Sequence, residues 1–306
     1  MTKISTLAAA GLILAATGIP GLAQVNLDSV WAATYTEDWP DRFPGPELGD
    51  YGGVPINDAD RARALAWSAS LIALPEYQCR VHPFDYANSF ADFRMWNEVD
   101  RDSQALIAIH MHHFAWGTER TIWMDGRPHP PEYAPHASMG FSTGKWDGDT
   151  LTVTTTHMKE GWIRRNGIAR SDMSTVTEHF TRHANHLTWT VIVKDPIYLA
   201  EPFIRNRDYT VSTGVSTPPY PCESVVETVH EKGYIPHYLP GANNDIKEYA
   251  VAHGIPYEAA MGGPESMYPE FREKVKGMPK PPPPPPAAPT AKAAKPAAPA
   301  AKPVKP

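Results

Sequence analysis

Histidine is the residue type in this chain that most directly suggests chemistry, because there are 13 histidines and the densest group is His110-Met111-His112-His113. On a strand, His110 and His112 point to one face while His113 points to the other. Two imidazoles on one face are a typical pair of zinc or copper ligands, and they are also typical of a solvated barrel rim. The pattern leaves both interpretations open.

His157 ends the alternating run TLTVTTTHM (150–158). Leu151, Val153, Thr155 and His157 share one face of that run, and the mostly apolar set predicts that this face looks inward. An inward imidazole next to a ligand cavity suits acid–base catalysis near neutral pH. A core histidine with both nitrogens hydrogen-bonded fits the same pattern.

Charged residues follow at 159–167, where the mouth of a barrel is expected. In this segment Arg164 would hold an anionic group of a substrate, and Trp162 would contact its apolar part. A metal variant of the same site would use three histidines as ligands for zinc or copper: His110, His112 and His157.

The third group is WMDGRPHPP (123–131). His129 is held between prolines and is a second candidate acid–base residue, with Asp125 orienting its imidazole. Arg127 and the following His136 would bind the substrate. The alternative is a rigid turn in which Asp125 caps backbone amides and Arg127 pairs with a carboxylate.

The cysteines are Cys79 and Cys222, far apart in sequence. In an exported protein such a pair usually forms a disulfide. A metal ligand or a nucleophilic thiol is the alternative, although neither cysteine has a nearby CxxC partner.

The ends of the chain differ from its middle. Residues 1–23 have a basic start, an apolar run and a small-x-small end, which predicts a secretory signal and a periplasmic or secreted protein. Residues 279–306 are rich in proline, alanine and lysine, which predicts a disordered tail. This tail would act as a spacer, a solubilising segment or a weak contact for anionic envelope polymers.

Removing the six lysines in these ends from 28 basic residues leaves 22 against 34 acidic ones, a formal charge of −12 for residues 24–278. This acidic balance argues against nucleic-acid binding. No further segment is apolar enough to span a membrane. The sequence also lacks GxGxxG, GxxxxGK[ST], GxSxG and HExxH, which argues against nucleotide-dependent and α/β-hydrolase chemistry.

The elements that must position these residues are mainly β. A helix capped by Asn57 or Asp58 is predicted over 58–74, and a helical wrap over 225–276. Between them, about 100–215, short alternating runs with tight turns predict an antiparallel β-barrel of the lipocalin-like kind, within a single domain. The predicted strands are 105–114, 118–124, 141–146, 150–158, 174–180, 186–193 and 204–212.

The segments 120–136, 140–167, 171–183 and 195–203 together resemble a large, mostly uncharacterised group of exported bacterial proteins. The resemblance rests on MDGRPHP, on GxWxGDTLxVxT and on a downstream strand with a glutamate. It spans about 100–223 and implies the hairpins and an exported location. It implies no reaction and no catalytic residue. The GxWxGD element is also loosely similar to hairpins of lipocalin-like barrels.

These observations predict a small-molecule site in a β-barrel. One hypothesis is an exported lyase, isomerase or hydrolase that uses His157, His129 and Asp125 on a partly apolar compound, without a required cofactor. The other is a non-catalytic ligand-binding barrel, or a protein that holds zinc or copper through histidines.

Overall fold

The computed structural model describes residues 25–35, 46–88, 91–114, 117–223, 225 and 228–283. Within these ranges the chain is mainly β, as predicted, and nine strands close into one barrel. The predicted signal segment and residues 284–306 of the predicted tail lie outside the described residues. No helix in the described ranges is long and apolar enough to cross a membrane.

The strands of the barrel are joined by short turns and by longer connections, which include a helical segment between β1 and β2, a crossover from β4 to β5 and a separate two-stranded ribbon, β7–β8. In chain order the strands are β1 Ser29–Ala33, β2 Phe93–Val99, β3 Leu106–His113, β4 Glu119–Trp123, β5 Phe141–Asp147, β6 Thr150–Thr156, β7 Gly161–Trp162, β8 Ala169–Arg170, β9 Thr175–His183, β10 His186–Lys194 and β11 Phe203–Val211. Around the barrel the order is β1-β11-β10-β9-β6-β5-β4-β3-β2, and β2 pairs with β1 to close it.

All seven predicted strands are present, and the barrel also takes in β1 and β2, so it begins before residue 100. The purely antiparallel arrangement was wrong at one place, because β4 and β5 run parallel. Parallel neighbours need a long connection, and residues 124–140 provide it. The Asp125-Gly126 turn therefore starts a crossover instead of a hairpin.

The predicted first helix begins where its cap residue indicates, since the Asn57 side chain accepts from the backbone N–H of Ala59 and Asp60. It ends at Leu65 instead of about 74, and the chain continues as a 3-10 turn at Ala69–Ala73. Between them, Trp67 packs its ring against Trp162 at a centroid distance of 4.5 Å. The helices are α1 Asp58–Leu65, α2 Pro75–Gln78, α3 Phe84–Ala87, α4 Glu248–His253, α5 Tyr257–Ala260 and α6 Pro269–Val275, with 3-10 turns at Ala69–Ala73, Asp245–Lys247 and Pro264–Met267.

The inside of the barrel is filled by side chains, because the inward positions of its strands are occupied by large residues. The apolar part of this core includes Trp31, Phe93, Met95, Ile109, Met111, Ile122, Leu151, Val153, Val176, Phe180, Leu187, Trp189, Val191 and Tyr209. Barrels of this size hold a ligand only when their interior is left open. The expected ligand cavity inside the barrel is therefore replaced by a packed core.

One ion pair lies within this core. Arg120 of β4 donates from two guanidinium nitrogens to the carboxylate of Glu178 on β9, at 2.9 and 2.8 Å. The Trp189 indole N–H donates to the same carboxylate at 2.9 Å, and the ring of Phe84 from α3 lies 3.7 Å from the guanidinium carbon. Both charged side chains are almost fully buried. The geometry satisfies most of their hydrogen-bonding groups, as buried charges require.

A disulfide joins Cys79 and Cys222, as predicted, with their Cα atoms 5.5 Å apart. It fixes the irregular segment that follows β11 to the end of α2. Further along, Tyr238 donates its backbone N–H to the carbonyl of Ala66. The bond also excludes the alternative roles of these cysteines as metal ligands or free nucleophiles. Disulfides of this kind are typical of proteins that mature in oxidising compartments.

Candidate functional site

The barrel wall opens outward where β4 and β5 part. Their parallel pairing covers only Ile122 with Ser142 and Trp123 with Thr143, after which the β5–β6 hairpin extends beyond the end of β4. The opening forms a groove of about 870 Å³. Its lining consists of Leu106, Met124, Gly126, Arg127, Thr143, Gly144, Lys145, Trp146, Asp147, Thr152 and Thr154.

The floor of the groove is apolar and depends on a glycine. Gly144 lies on the inward face of β5, and a Cβ atom there would overlap Met124 and contact Ile122 and Leu151. Because this position has no side chain, the Met124 sulfur lies close to the backbone of β5, and Leu106 and Trp146 also line the groove. A volume of this size suits a small molecule with an apolar part.

The rim carries charge and hydroxyl groups. The outward residues of β5 and β6 place Thr143 beside Thr154 and Lys145 beside Thr152. Lys145 is exposed and forms no ion pair with any described residue. Its ammonium is therefore available to a carbonyl or carboxylate group of a bound molecule.

Asp125 and Arg127 bind each other. The guanidinium donates to both carboxylate oxygens at 2.5–3.0 Å, and its carbon lies 3.5 Å from the ring centre of Trp123. Hydrogen bonds from Arg127 lower the pKa of the Asp125 carboxyl. The expectation that Asp125 orients His129 was wrong, because this short carboxylate is fully engaged within its own turn. Arg127 remains part of the groove lining.

His129 instead lies over the outer face of the β5–β6 hairpin, between two hydroxyl groups. Its Nε2 is 2.9 Å from Thr143 Oγ1, and its Nδ1 is 2.8 Å from Thr156 Oγ1. Burial, and secondarily the neighbouring His157, lower the pKa of this imidazole. The lowered pKa favours the neutral form of His129, and its Nε2 contacts a hydroxyl that lines the groove.

His157 does not point into the barrel as its alternation predicted. Its φ of +57° places it in the left-handed region, and β6 ends one residue earlier. This reversal turns the ring to the outer side, where Nδ1 is 2.8 Å from Thr156 Oγ1 and Nε2 is 2.9 Å from the carbonyl of Pro131. His136 packs edge-to-face against it at 5.3 Å. The structure thus brings His129, His136 and His157 together, but outside the core.

Arg164 and Trp162 contact other parts of the chain. Arg164 lies 3.6 Å from the carboxylate of Asp50, and Trp162 packs on Trp67 near α1. Neither residue lines the groove. Their predicted role beside His157 is therefore not supported by position, because the ribbon β7–β8 directs them toward the helical layer.

The two faces of β3 behave as the alternation predicts. His110 and His112 share the outer face, where His110 Nε2 lies 2.7 Å from Glu98 and His112 Nδ1 lies 2.9 Å from Glu119. His157 follows a different strand and has different partners. Within the described part of the chain, no group of three or more His, Cys, Asp or Glu side chains is placed to hold a metal ion. The proposed zinc or copper set is therefore not assembled.

Several residues of this region were not singled out from the sequence. Thr143 and Thr156 carry the contacts of His129, and Arg120 and Glu178 form the buried pair. The alternation of Glu178 with Val176 and Phe180 indicates an inward glutamate and was a usable signal. His113 is also fully buried, and within the described residues neither ring nitrogen has a hydrogen-bond partner. Burial lowers its pKa well below the ordinary value.

In comparisons with known proteins, no family model, no curated protein and no solved structure matches the chain.

Proposed function

We propose that this is an exported protein that binds a small, partly apolar molecule with a carbonyl or carboxylate group in the groove between β4 and the β5–β6 hairpin. The observation that carries the proposal is the groove itself, whose lining combines apolar side chains with threonine hydroxyls, the cations Lys145 and Arg127 and one carboxylate, Asp147. Export is supported by the signal-like first residues and by the disulfide. The packed core argues against a site inside the barrel.

The polar groups support one orientation of the ligand. Leu106, Met124 and Trp146 would contact its apolar part, while Lys145 and the threonine hydroxyls would hold its oxygen atoms. Arg127 adds a guanidinium group in a fixed position to the lining, because Asp125 and Trp123 hold it in place. Pre-ordered polar groups favour binding because less side-chain entropy is lost.

Binding is tested with 8-anilinonaphthalene-1-sulfonate, which combines an apolar ring system with an anion. We expect its fluorescence to rise in a saturable way, and we expect Lys145→Glu to weaken binding about tenfold or more, the scale of one charge-assisted contact. Lys194→Glu is the matched control, because Lys194 is an exposed lysine at the end of β10, outside the groove lining.

Amide chemical shifts locate the probe. Shifts confined to β5, β6 and residues 124–129 would support the groove. Equal weakening by the two lysine variants, or shifts that map to another surface, would contradict it. Native mass spectrometry of the purified mature protein would then identify a molecule that co-purifies.

A catalytic role is the second candidate. It is favoured by the 2.9 Å contact between His129 Nε2 and the hydroxyl of Thr143, which lines the groove. A base in contact with a hydroxyl at a ligand site is the arrangement that acid–base and nucleophilic catalysis require.

A further inference from the structure

The contacts around His129 form a chain of hydrogen bonds whose direction is fixed at one end. The final acceptor is the carbonyl of Pro131, which lies 2.9 Å from His157 Nε2. A carbonyl only accepts, so the proton of His157 is on Nε2. In a neutral imidazole the other nitrogen, Nδ1, then carries a lone pair.

The remaining protons follow from this first assignment. Thr156 donates its hydroxyl proton to His157 Nδ1 at 2.8 Å, so its oxygen accepts from His129 Nδ1, also at 2.8 Å. His129 Nε2 then carries the lone pair and accepts the proton of the Thr143 hydroxyl at 2.9 Å. With both imidazoles in the neutral form, the order of donation is Thr143 to His129 to Thr156 to His157 to Pro131.

The order of donation is important for the chemistry of Thr143. Its hydroxyl proton is directed to the His129 base, and its oxygen lies beside the groove. The same order applies in hydrolases, where a hydroxyl nucleophile donates to a histidine and a third group orients that histidine. Thr156 and His157 would be the orienting groups here. Lys145, two residues further along the same face of β5, supplies positive charge at the rim.

We propose that Thr143 is a nucleophile and His129 its general base, and that the groove hydrolyses esters of partly apolar carboxylic acids. This proposal rests on the groove being the binding site. Thr143 and His129 are the catalytic residues, and Thr156 and His157 are positioning residues.

The reaction has two balanced steps. Thr143 Oγ1 forms a bond to the ester carbonyl carbon while its proton passes to His129 Nε2. The bond between that carbon and the alcohol oxygen then breaks, and His129 returns the proton to the leaving alcohol. In the second step water attacks the acyl-threonine and gives a proton to His129. The carboxylic acid leaves, and the proton restores the Thr143 hydroxyl.

The test uses the mature protein and p-nitrophenyl butyrate. We expect saturable hydrolysis that falls at least 100-fold in Thr143→Val and in His129→Phe, since general-base contributions are of order 10²–10⁴. Thr143→Ser keeps the hydroxyl and should retain activity. Thr190→Val is the matched control, because Thr190 lies on β10, two strands away from β6, and takes no part in the chain of hydrogen bonds.

The positioning residues need a separate readout. Thr156→Val should lower kcat with little change in KM, and Thr156→Ser should restore it. Rapid quenching followed by peptide mass analysis should place one butyryl group on Thr143. Thermal unfolding of every variant identifies any that fail to fold, and the two serine variants keep the test valid in that event.

The outcomes separate the two proposals. Hydrolysis that persists in a folded Thr143→Val variant overturns the nucleophile assignment. Binding of the anilinonaphthalene probe in the groove without hydrolysis above the Thr143→Val level also overturns it, while groove binding stands. If the wild-type protein neither binds the probe nor hydrolyses the ester, both proposals are overturned.

Discussion

The interior of the barrel and its outer groove hold their polar groups in opposite ways. Inside, Arg120 and Glu178 are charged, almost fully buried and bound to each other. Outside, His129 lies between the hydroxyls of Thr143 and Thr156 and is only partly buried. The interior pair forms its hydrogen bonds within the protein. The hydrogen bonds of His129 instead connect to Thr143, whose hydroxyl lies beside the groove.

This difference indicates which region contributes mainly to stability and which mainly to chemistry. A buried charge whose partner is removed carries a large desolvation penalty, so the interior tolerates change poorly. Hydroxyls and imidazoles beside solvent can exchange protein partners for water at small cost. The interior should therefore respond to mutation mainly through stability, and the groove mainly through binding and turnover.

The largest expected effect is in the interior. Arg120→Met should lower the free energy of unfolding by about 3–5 kcal/mol, because Glu178 is left buried without its counterion. Urea denaturation at neutral pH measures this. Arg63→Met is the control, since Arg63 pairs with Glu160 at a partly exposed position and should cost about 1 kcal/mol or less.

The double variant Arg120→Met with Glu178→Gln sharpens the interpretation. Glutamine removes the charge and keeps an oxygen for the Trp189 indole N–H. More than half of the lost stability should return. A double variant as unstable as the single one would show that the lost packing around Arg120, and not the unpaired charge of Glu178, accounts for the lower free energy of unfolding.

Replacing both Cys79 and Cys222 by serine should lower the free energy of unfolding by about 2–4 kcal/mol, because the bond closes a sequence separation of 143 residues. The groove lies on different elements, so probe binding by the folded variant should persist. Chemical denaturation and the fluorescence titration measure the two effects. Loss of probe binding in a folded variant would mean that the outer groove depends on this link.

A buried carboxyl in the helical layer gives a third and pH-dependent effect. Asp60 is fully buried, and burial raises its pKa to about 7, while the Ala169 N–H and Arg63 oppose this. The folded protein therefore keeps a proton that the unfolded chain releases above about pH 4. Stability from this group is present below about pH 4 and is lost as pH rises toward 7.

Asp60→Asn should therefore be more stable than the wild-type protein by about 2–4 kcal/mol at pH 7.5, and its stability should vary less between pH 4 and 7. Asparagine keeps the oxygen that accepts from Ala169. Urea denaturation at four pH values measures both. Asp58→Asn is the control at a fully exposed position. Equal pH slopes in the Asp60→Asn variant and the wild type would contradict the raised pKa.

The smallest expected effect on stability is in the groove. Thr143→Val removes one hydrogen bond near solvent and should change the free energy of unfolding by about 1 kcal/mol or less, and Thr156→Val removes two and should cost about 2 kcal/mol or less. Thermal and urea unfolding measure this. A decrease of several kcal/mol in the free energy of unfolding of either variant would contradict the difference between the groove and the interior.

Much of the fold followed from local pattern. The seven central strands, the Asn57 cap and the opposite faces of His110 and His113 were all predicted, because alternation and capping act between near neighbours in sequence. The parallel β4–β5 pair was not predicted, since Asp125-Gly126 is a turn signal whether a hairpin or a crossover follows. Apart from Arg127, the residues of the groove were missed, because the opening exists only through that pairing.

His157 shows the limit of alternation most clearly. Its spacing from Leu151, Val153 and Thr155 is that of an inward residue, yet a single left-handed backbone angle turns it outward. Non-glycine residues adopt this angle uncommonly, and the surroundings must hold it in place. Here the hydroxyl of Thr156 and the carbonyl of Pro131 do so.

The mainly β chain, its turns, its cysteine pairing and the residue types that carry chemistry follow from composition and from contacts close in sequence. The filled core, the contact of Arg120 with Glu178 across 58 residues, and the contacts of His129 with Thr143 and Thr156 arise only when the chain is folded. Such contacts depend on strand order and register, which are settled by packing over the whole barrel.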